Sequence, residues 1–266
     1  MASFSVVNNI AAANAQANLV NTNLGLKTAL NRLSSGLRIN MSGDDAAGLA
    51  VANSYRSKIA VLNQGIRNAN DGLSDLQIKD GALNNISNLL DRLSTLATQS
   101  ASTSSTVDRT KLNNEFASVL SEIDREATVA GLNATTSFSV FVSNDGTNGT
   151  VGGSIAIAST TGMGINALKV DSAFNAAAAV ASLSTAIGSL GTAQGNVGAL
   201  ENRLQFAIGL AQSQSVNNQA AESRIRDANI AQESAAMTKY NILTQSGIAA
   251  LSQANQSSQS VLSLLR

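Results

Sequence analysis

Two acidic pairs stand out in the chain, Asp44–Asp45 and Glu122–Asp124, and Gly36, Gly43 and Gly48 crowd the first of them. Paired carboxylates can do general acid–base work or hold a hard metal ion. A glycine-rich turn ahead of a helix can cradle phosphate. The spacing here suits none of these. Residues one or two apart do not share a helix face, and no EF-hand or two-metal pattern is present. No lysine follows Gly43 or Gly48 as a phosphate loop requires, and Asp44 and Asp45 would repel the anion. The chain has neither histidine nor cysteine. That removes the commonest general base, the Ser-His-Asp triad, His-Glu-x-x-His metalloprotease chemistry and ordinary zinc, haem or iron–sulfur sites. No catalytic, cofactor-binding or metal-ligating set is expected, so the reading is of a protein that is not an enzyme and needs no cofactor.

What remains is a set of helix-building signals. Gly36 suits the position just past a helix end, with Leu37 folding back on it. Ser42 and Asp45 have capping-box spacing, as do Ser105 and Asp108. Gly131 falls where a glycine would close a helix. Gly48 falls inside a helix, where it costs about 1 kcal/mol relative to Ala, so a close helix contact is expected there. Gly36, Arg38, Asn40, Gly43, Asp44 and Asp45 therefore read as a joint between two helices. Glu122, Asp124, Arg125 and Glu126 read as interhelical or intersubunit ion pairs.

The elements around that joint are long. Val6, Ile10, Ala13, Ala17, Val20 and Leu24 follow alternating 4,3 spacing, and Leu26, Leu30, Leu33 and Leu37 continue it after a shift. Ala236, Tyr240, Leu243, Gly247, Ala250, Ala254, Ser257, Val261 and Leu264 do the same at the other end, beside Ile248, Leu251, Leu262 and Leu265. Heptad seams of this kind predict helical arms, each with a wide apolar face. Three further helices are expected over 44–100, 106–130 and 172–223. In the first, Ala52, Ile59, Leu62, Ile66, Ala69, Leu73, Leu76, Leu83, Leu90 and Ala97 share one grid. Between 137 and 158 the period changes to two, with Phe138, Val140 and Val142 alternating before Asp145-Gly146 and Asn148-Gly149, which predicts a small β-hairpin region. The fold class is mainly α: long coiled-coil helices, arms and bundle, with that hairpin.

Composition sets the outer limits. The 266 residues carry 17 basic and 17 acidic groups, which argues against nucleic-acid binding. Only 13% of residues are charged and 3% aromatic, against 44% hydrophobic. Low charge with abundant alanine and amide side chains suits surfaces that pack against copies of themselves. The opening "MASFSVVNNIAAANAQANLV" lacks the basic and apolar regions of a signal peptide, and no unbroken apolar run long enough to span a bilayer occurs, so no membrane insertion is expected.

These residues resemble a known family. "LNRLSSGLRINMSGDDAAGLAVAN", Leu30 to Asn53, is similar to the N-terminal signature of bacterial flagellin, and "SRIRDANIAQESAAMTKYNILTQSGIAALSQANQSSQSVLSLLR", Ser223 to Arg266, to its C-terminal signature. The resemblance implies a short form without the outer variable domains. Residues 1–43 and 223–266 would be the arms of the inner filament-core domain, and 44–222 a helical-bundle second domain. Inner-domain packing would rest on Val6, Ile10, Val20, Leu24, Leu30 and Leu33 and on Leu243, Leu251, Val261, Leu262, Leu264 and Leu265. The implied function is a structural subunit that self-assembles into the hollow flagellar filament outside the cell. The alternative within the family is the hook–filament junction protein. Implied partners are other copies of the chain, a flagellar secretion chaperone, the type III export apparatus, the filament cap and hook-associated proteins. Some members meet a Toll-like innate receptor; Arg92, Leu96 and Glu115 match its contacts, while Ser94 and Thr95 stand where recognised members carry Arg and Glu. Wide apolar faces on both arms further predict arms that are disordered in the monomer and fold on assembly.

Overall fold

The computed structural model describes residues 8–103, 108–143 and 146–264. Its elements, in chain order, are α1 (Ile10–Ser35), α2 (Ala46–Ala101), α3 (Arg109–Val129), β1 (Thr136–Phe141), a short 3-10 turn (Gly146–Gly149), β2 (Thr150–Ile155), α4 (Ala173–Arg226) and α5 (Ile230–Leu264). Contacts divide the chain into two compact units, one of residues 1–57 with 218–266 and one of residues 58–217. Val6, Ser105 and Leu265 lie outside the described residues, as do the side chains of Val261, Leu262 and Leu264.

The second unit holds nearly all of the core. With no proline to interrupt it, α2 runs unbroken, and Leu62, Ala69, Leu76, Leu83, Leu90 and Ala97 bury one face at seven-residue intervals. Polar Asp80 and Ser87, off that run, stay half-buried. Helix α4 answers with Ala176, Ala179, Leu183, Ala186, Leu190, Ala193, Val197, Leu200 and Leu204, all buried. Alternating Ala and Leu at 3,4 spacing makes a narrow seam that lets the helices approach closely. Each fully buried Leu contributes roughly 1.5–3 kcal/mol. The Asn84–Gln194 and Asn63–Ser215 hydrogen bonds, at 3.3 and 3.2 Å, set α2 and α4 antiparallel. Phe116, Leu120, Ile123 and Ala127 of α3 complete the cluster. Val180 and Ile187 sit at the edge of the α4 seam, 36% and 39% exposed. By length and composition α4 could cross a membrane, but Leu183, Leu190, Leu200 and Leu204 face this core.

Helix ends follow the expected residues with two corrections. Gly36 closes α1 in the left-handed region (φ 69°), its N–H donating to Arg32 O at 2.9 Å. Gly131 (φ 67°) closes α3, with Leu132 N donating to Ala127 O and Gly131 N to Thr128 O. Asp45 itself caps α2 by accepting from Gly48 N at 2.9 Å, so Ser42 is not the cap. Asp108 likewise caps α3 through Lys111 N. No partner helix crowds Gly48. Its absent Cβ would meet the Asp45 carboxylate at 2.4 Å and Ile39 Cδ1 at 2.8 Å.

A third correction concerns α3. Arg125 binds Glu122, three residues back on its own helix, at 2.6 Å, as i,i+3 neighbours can without another chain, and the adjacent Glu126 at 2.7 Å. Asp124 instead accepts from Thr160 N and Thr160 Oγ1 at 2.8 and 2.7 Å, pinning the loop that leads into α4.

A single hairpin forms: β1 and β2 are antiparallel, with Val140 opposite Val151 and Phe138 opposite Gly153. Its inner side lies on two glycines of α2. A Cβ at Gly65 would fall 1.8 Å from Val142 O, and one at Gly72 2.6 Å from Val140 Cγ2. Seven-residue spacing puts both on one helix face, opening a track for the strand.

Candidate assembly surface

In the first unit α1 and α5 run antiparallel. Asn9 Nδ2 donates to Ala254 O at 3.0 Å at one end, and Arg32 Nη1 meets Glu233 Oε1 at 3.3 Å at the other. Between them Leu19 packs on Gly247, and the Tyr240 ring fills the space left by Gly25, where a Cβ would come within 2.6 Å. The α1 residues on this side are Ala12, Ala15, Leu19, Thr22, Leu26, Ala29 and Leu33, all buried or half-buried at alternating 3,4 spacing. Ala12, Ala15, Leu19, Thr22 and Leu26 each sit two positions from a member of a second stripe, Ile10, Ala13, Ala17, Val20 and Leu24. Two residues are about 200° around a helix, so the second stripe points away from α5.

That outward stripe stays uncovered within the chain. Ile10 is 60% exposed, Val20 53%, Leu24 59% and Leu30 46%; on α5, Ile242 is 59% and Ile248 56%. Leu243 is also exposed, whereas Leu33 and Leu251 are half-buried in the pairing seam. Of the described residues in this unit, only Ala29, Ile39 and Ala52 are buried hydrophobics.

The residues read as a link lie within this same unit. The segment after α1 clasps the one before α5. Arg38 N donates to Arg226 O at 2.6 Å, Ala228 N to Gly36 O at 2.9 Å, and Arg38 Nη2 to Ile225 O at 2.8 Å. Arg226 Nε returns to Ile39 O at 3.4 Å, over a buried Ile39 side chain. Asp44 Oδ2 accepts from Met41 N and Asn40 N at 3.0 and 3.1 Å. The Met41 N–H, then that of Asn40, hold its carboxyl below the ordinary value. Asn40 and Gly43 are exposed, and nothing lies within 4 Å of a Cβ on Gly43. A cleft of about 200 Å³ is lined by Arg32, Arg38, Ile39, Asp44 and Asp45.

Arg92 and Glu115 join α2 to α3, with Arg92 Nε donating to Glu115 Oε1 at 3.0 Å. Leu96 is 1% exposed and belongs to the core, so it presents no surface to a receptor. Sequence reasoning missed the Arg226–Ile39 clasp and the glycine track under the hairpin. No local signal marks a partner 187 residues away. The heptad relation of Gly65 and Gly72 was visible, but not what crosses it.

Comparison with known proteins decides the family. Residues 6–139 match the bacterial flagellin N-terminal helical region, and residues 180–265 match the C-terminal helical region. A flagellin of Halalkalibacterium halodurans is 38% identical over 97% of this chain and 98% of its own length. The chain belongs to the bacterial flagellin family. Flagellin FlaB2 of Treponema pallidum is 36% identical and a flagellin of Listeria monocytogenes 35%, each over 97% of this chain and 98% of the relative. A crystal structure of Bacillus cereus flagellin aligns over 59% of this chain and 94% of its own, at 26% identity and TM-score 0.48. This flagellin is a structural subunit of the extracellular flagellar filament and polymerises with copies of itself. It matches relatives of its own size, as a short form does, and the described part of residues 140–179, between the two family regions, holds the end of β1, the 3-10 turn, β2, the loop to α4 and the first turns of α4.

Proposed function

We propose that α1 and α5 form the inner core of the filament and that assembly proceeds through the stripe α1 turns away from α5. The supporting observation is the exposure of Ile10, Val20 and Leu24 directly opposite the intramolecular seam. Burial is worth about 25 cal/mol per Å². Ordering a residue costs about 1–2 kcal/mol. A two-helix unit whose described buried apolar side chains are Ala29, Ile39 and Ala52 does not offset that cost alone. Neighbouring copies supply the missing burial, so the arms order as they are added. Repeated contacts that do not close into a ring then give a helical filament.

In this reading the second unit is the helical-bundle domain. The clasp of Arg38, Ile39 and Arg226 holds the two chain segments that leave the arms. The role is mechanical and involves no catalytic step. Export by the type III apparatus with a chaperone, addition under a cap and contact with hook-associated proteins belong to the same proposal, supported by family membership alone. Both terminal family regions and the flagellin relatives favour a filament subunit over the junction protein.

Limited proteolysis with circular dichroism tests the proposal. Dilute monomer should lose residues within α1 and α5 to protease while 58–217 survives, and filament should protect both. Helical, protease-resistant arms in dilute monomer would sink the idea.

A further inference from the structure

Heptad seams are permissive about register. Sliding one helix past another by seven residues, about 10.5 Å, sets apolar beside apolar again. Charge does little to prevent that between α1 and α5. Among the described residues one ion pair, Arg32–Glu233, joins them, and Arg32 Nε is buried without a partner. The clasp beyond it rests largely on backbone N–H and C=O groups, which carry no side-chain identity. Shape is more particular. The half-buried seam of α5 is Met237, Tyr240, Thr244, Gly247, Leu251 and Ala254. Two contacts interlock it with α1 in opposite senses. Leu19 of α1 enters the gap at Gly247 of α5, its Cδ1 3.1 Å from where a Cβ would stand. One heptad earlier on α5 the roles reverse, and Tyr240 fills the gap at Gly25 of α1, 2.6 Å from the absent Cβ. The same register sets Ala15 level with Leu251, Thr22 with Thr244 and Ala29 with Met237.

We infer that Leu19–Gly247 and Gly25–Tyr240 form a two-part shape key that selects the one register in which the arms close into an assembly-competent pair. The inference rests on the reading that the arms order as the chain joins the filament. Slipping α5 by a heptad in one direction brings Tyr240 level with Leu19 and leaves Gly247 beside Ala12. Slipping it the other way brings Tyr240 level with Leu33 and sets Gly25 beside Gly247. In each case a bulky pair collides while a small pair leaves a void. Overpacking and cavities both destabilise a core, so each slip is penalised twice. Because the two contacts point in opposite senses, neither direction escapes. The polar fasteners discriminate less. Asn9 Nδ2 bonds a backbone carbonyl, Ala254 O, and the ion pair is partly exposed, where such pairs contribute little. A slipped pair would also carry Ile10, Val20 and Leu24 about 10.5 Å along α5, which spoils the surface offered for assembly.

The chain has no cysteine, so an introduced pair reports the register through one disulfide. Thr22→Cys with Thr244→Cys reads the observed register. Thr22→Cys with Met237→Cys reads the slip that sets Tyr240 level with position 19. Oxidation traps a closed pairing even where it is short-lived. In full-length monomer with the native key, the first pair should close at least tenfold faster than the second. Ala12→Leu with Leu19→Ala moves the bulky side chain by one heptad at unchanged composition. That preference should then invert, and elongation from wild-type seeds should slow at least tenfold. Leu19→Ala with Gly247→Leu reverses the contact in place, so it should keep the observed register and elongate within threefold of the wild type. Equal closing rates with the native key overturn the inference. So does a transposed chain that still closes the first pair faster or elongates within twofold of the wild type, since the clasp then sets the register. A reversed contact as slow as the transposed one overturns it too. Each of these results leaves the filament reading intact. Failure of the wild type to elongate its own seeds defeats that reading, while the disulfide rates still decide the register.

Discussion

Replacing Gly65 by Ala is the sharpest test of how the hairpin is held. The new Cβ would sit 1.8 Å from Val142 O, 2.5 Å from its carbonyl carbon and 2.8 Å from its Cα. All three are backbone atoms, which no rotamer change can move. A carbon–oxygen contact needs roughly 3.3 Å, so the end of β1 must retreat ~1.5 Å. That end is anchored by Val142 N donating to Gly149 O at 2.8 Å and by Asn68 Nδ2 donating to Phe141 O at 3.3 Å. Lifting it uncovers Val142, now 4% exposed. Lost burial of a valine is about 1.5–2 kcal/mol, and a lost hydrogen bond about 1 kcal/mol. Helix propensity returns about 1 kcal/mol for Gly to Ala. The net destabilisation is therefore ~2 kcal/mol, and at about 2–4 °C per kcal/mol the monomer should melt ~4–8 °C lower. Gly81→Ala is the internal control, since nothing lies within 4 Å of its Cβ. It should gain about 1 kcal/mol and melt higher than wild type. Thermal unfolding followed by circular dichroism reads both. A Gly65→Ala protein as stable as Gly81→Ala would refute the close-approach argument.

Three further outcomes follow from the clasp and the arms. Gly36→Ala forces a Cβ into φ 69°, at a cost of about 1–2 kcal/mol, and should change filament waveform in motility imaging; Gly43→Ala, which meets no strain, should leave it unchanged. Asp44 sits below its ordinary value of 3.8 because Met41 and Asn40 donate to it. A carboxyl with a depressed folded value contributes its stability above the unfolded value and loses it as pH falls through the folded one. The Met41 and Asn40 amide shifts should therefore titrate together below pH 3.8, and a shared midpoint above that value would contradict the assignment. Leu24→Asp places a charge on the outward stripe of α1; seeded elongation should fail while the unfolding temperature of 58–217 stays put, and normal elongation would count against that stripe as the assembly face.

Much of the architecture was legible because it is local. Gly36 and Gly131 close helices, since only a left-handed residue ends them that way. The alternation at Phe138, Val140 and Val142 shows one strand face, and the grid from Leu62 to Ala97 shows one helix face. Each is a statement about residues within a few positions of one another. The Ser42 reading failed for a related reason. Two capping residues lay three apart, and which one ends the helix depends on where the chain before it is pinned. Here Asp44 pins Asn40 and Met41, leaving Asp45 to begin α2.

The link residues illustrate the division. Their types marked a joint, but the atoms that tie it come from Ile225, Arg226 and Ala228, far along the chain. The receptor-matching set divides similarly: Arg92 and Glu115 are exposed and Leu96 is core, because a helix position acquires an inside only when α3 and α4 pack on it.

By itself the sequence determined that the chain would be long helices with a small β-hairpin region, and with apolar arms at both ends. Those properties are set by residue type and period. Only the tertiary structure decided which of two opposite α1 stripes faces α5 and which stays exposed. Periodicity gives an angle around a helix axis, and two stripes about 200° apart are equal until Tyr240, Leu251 and Ala254 cover one of them.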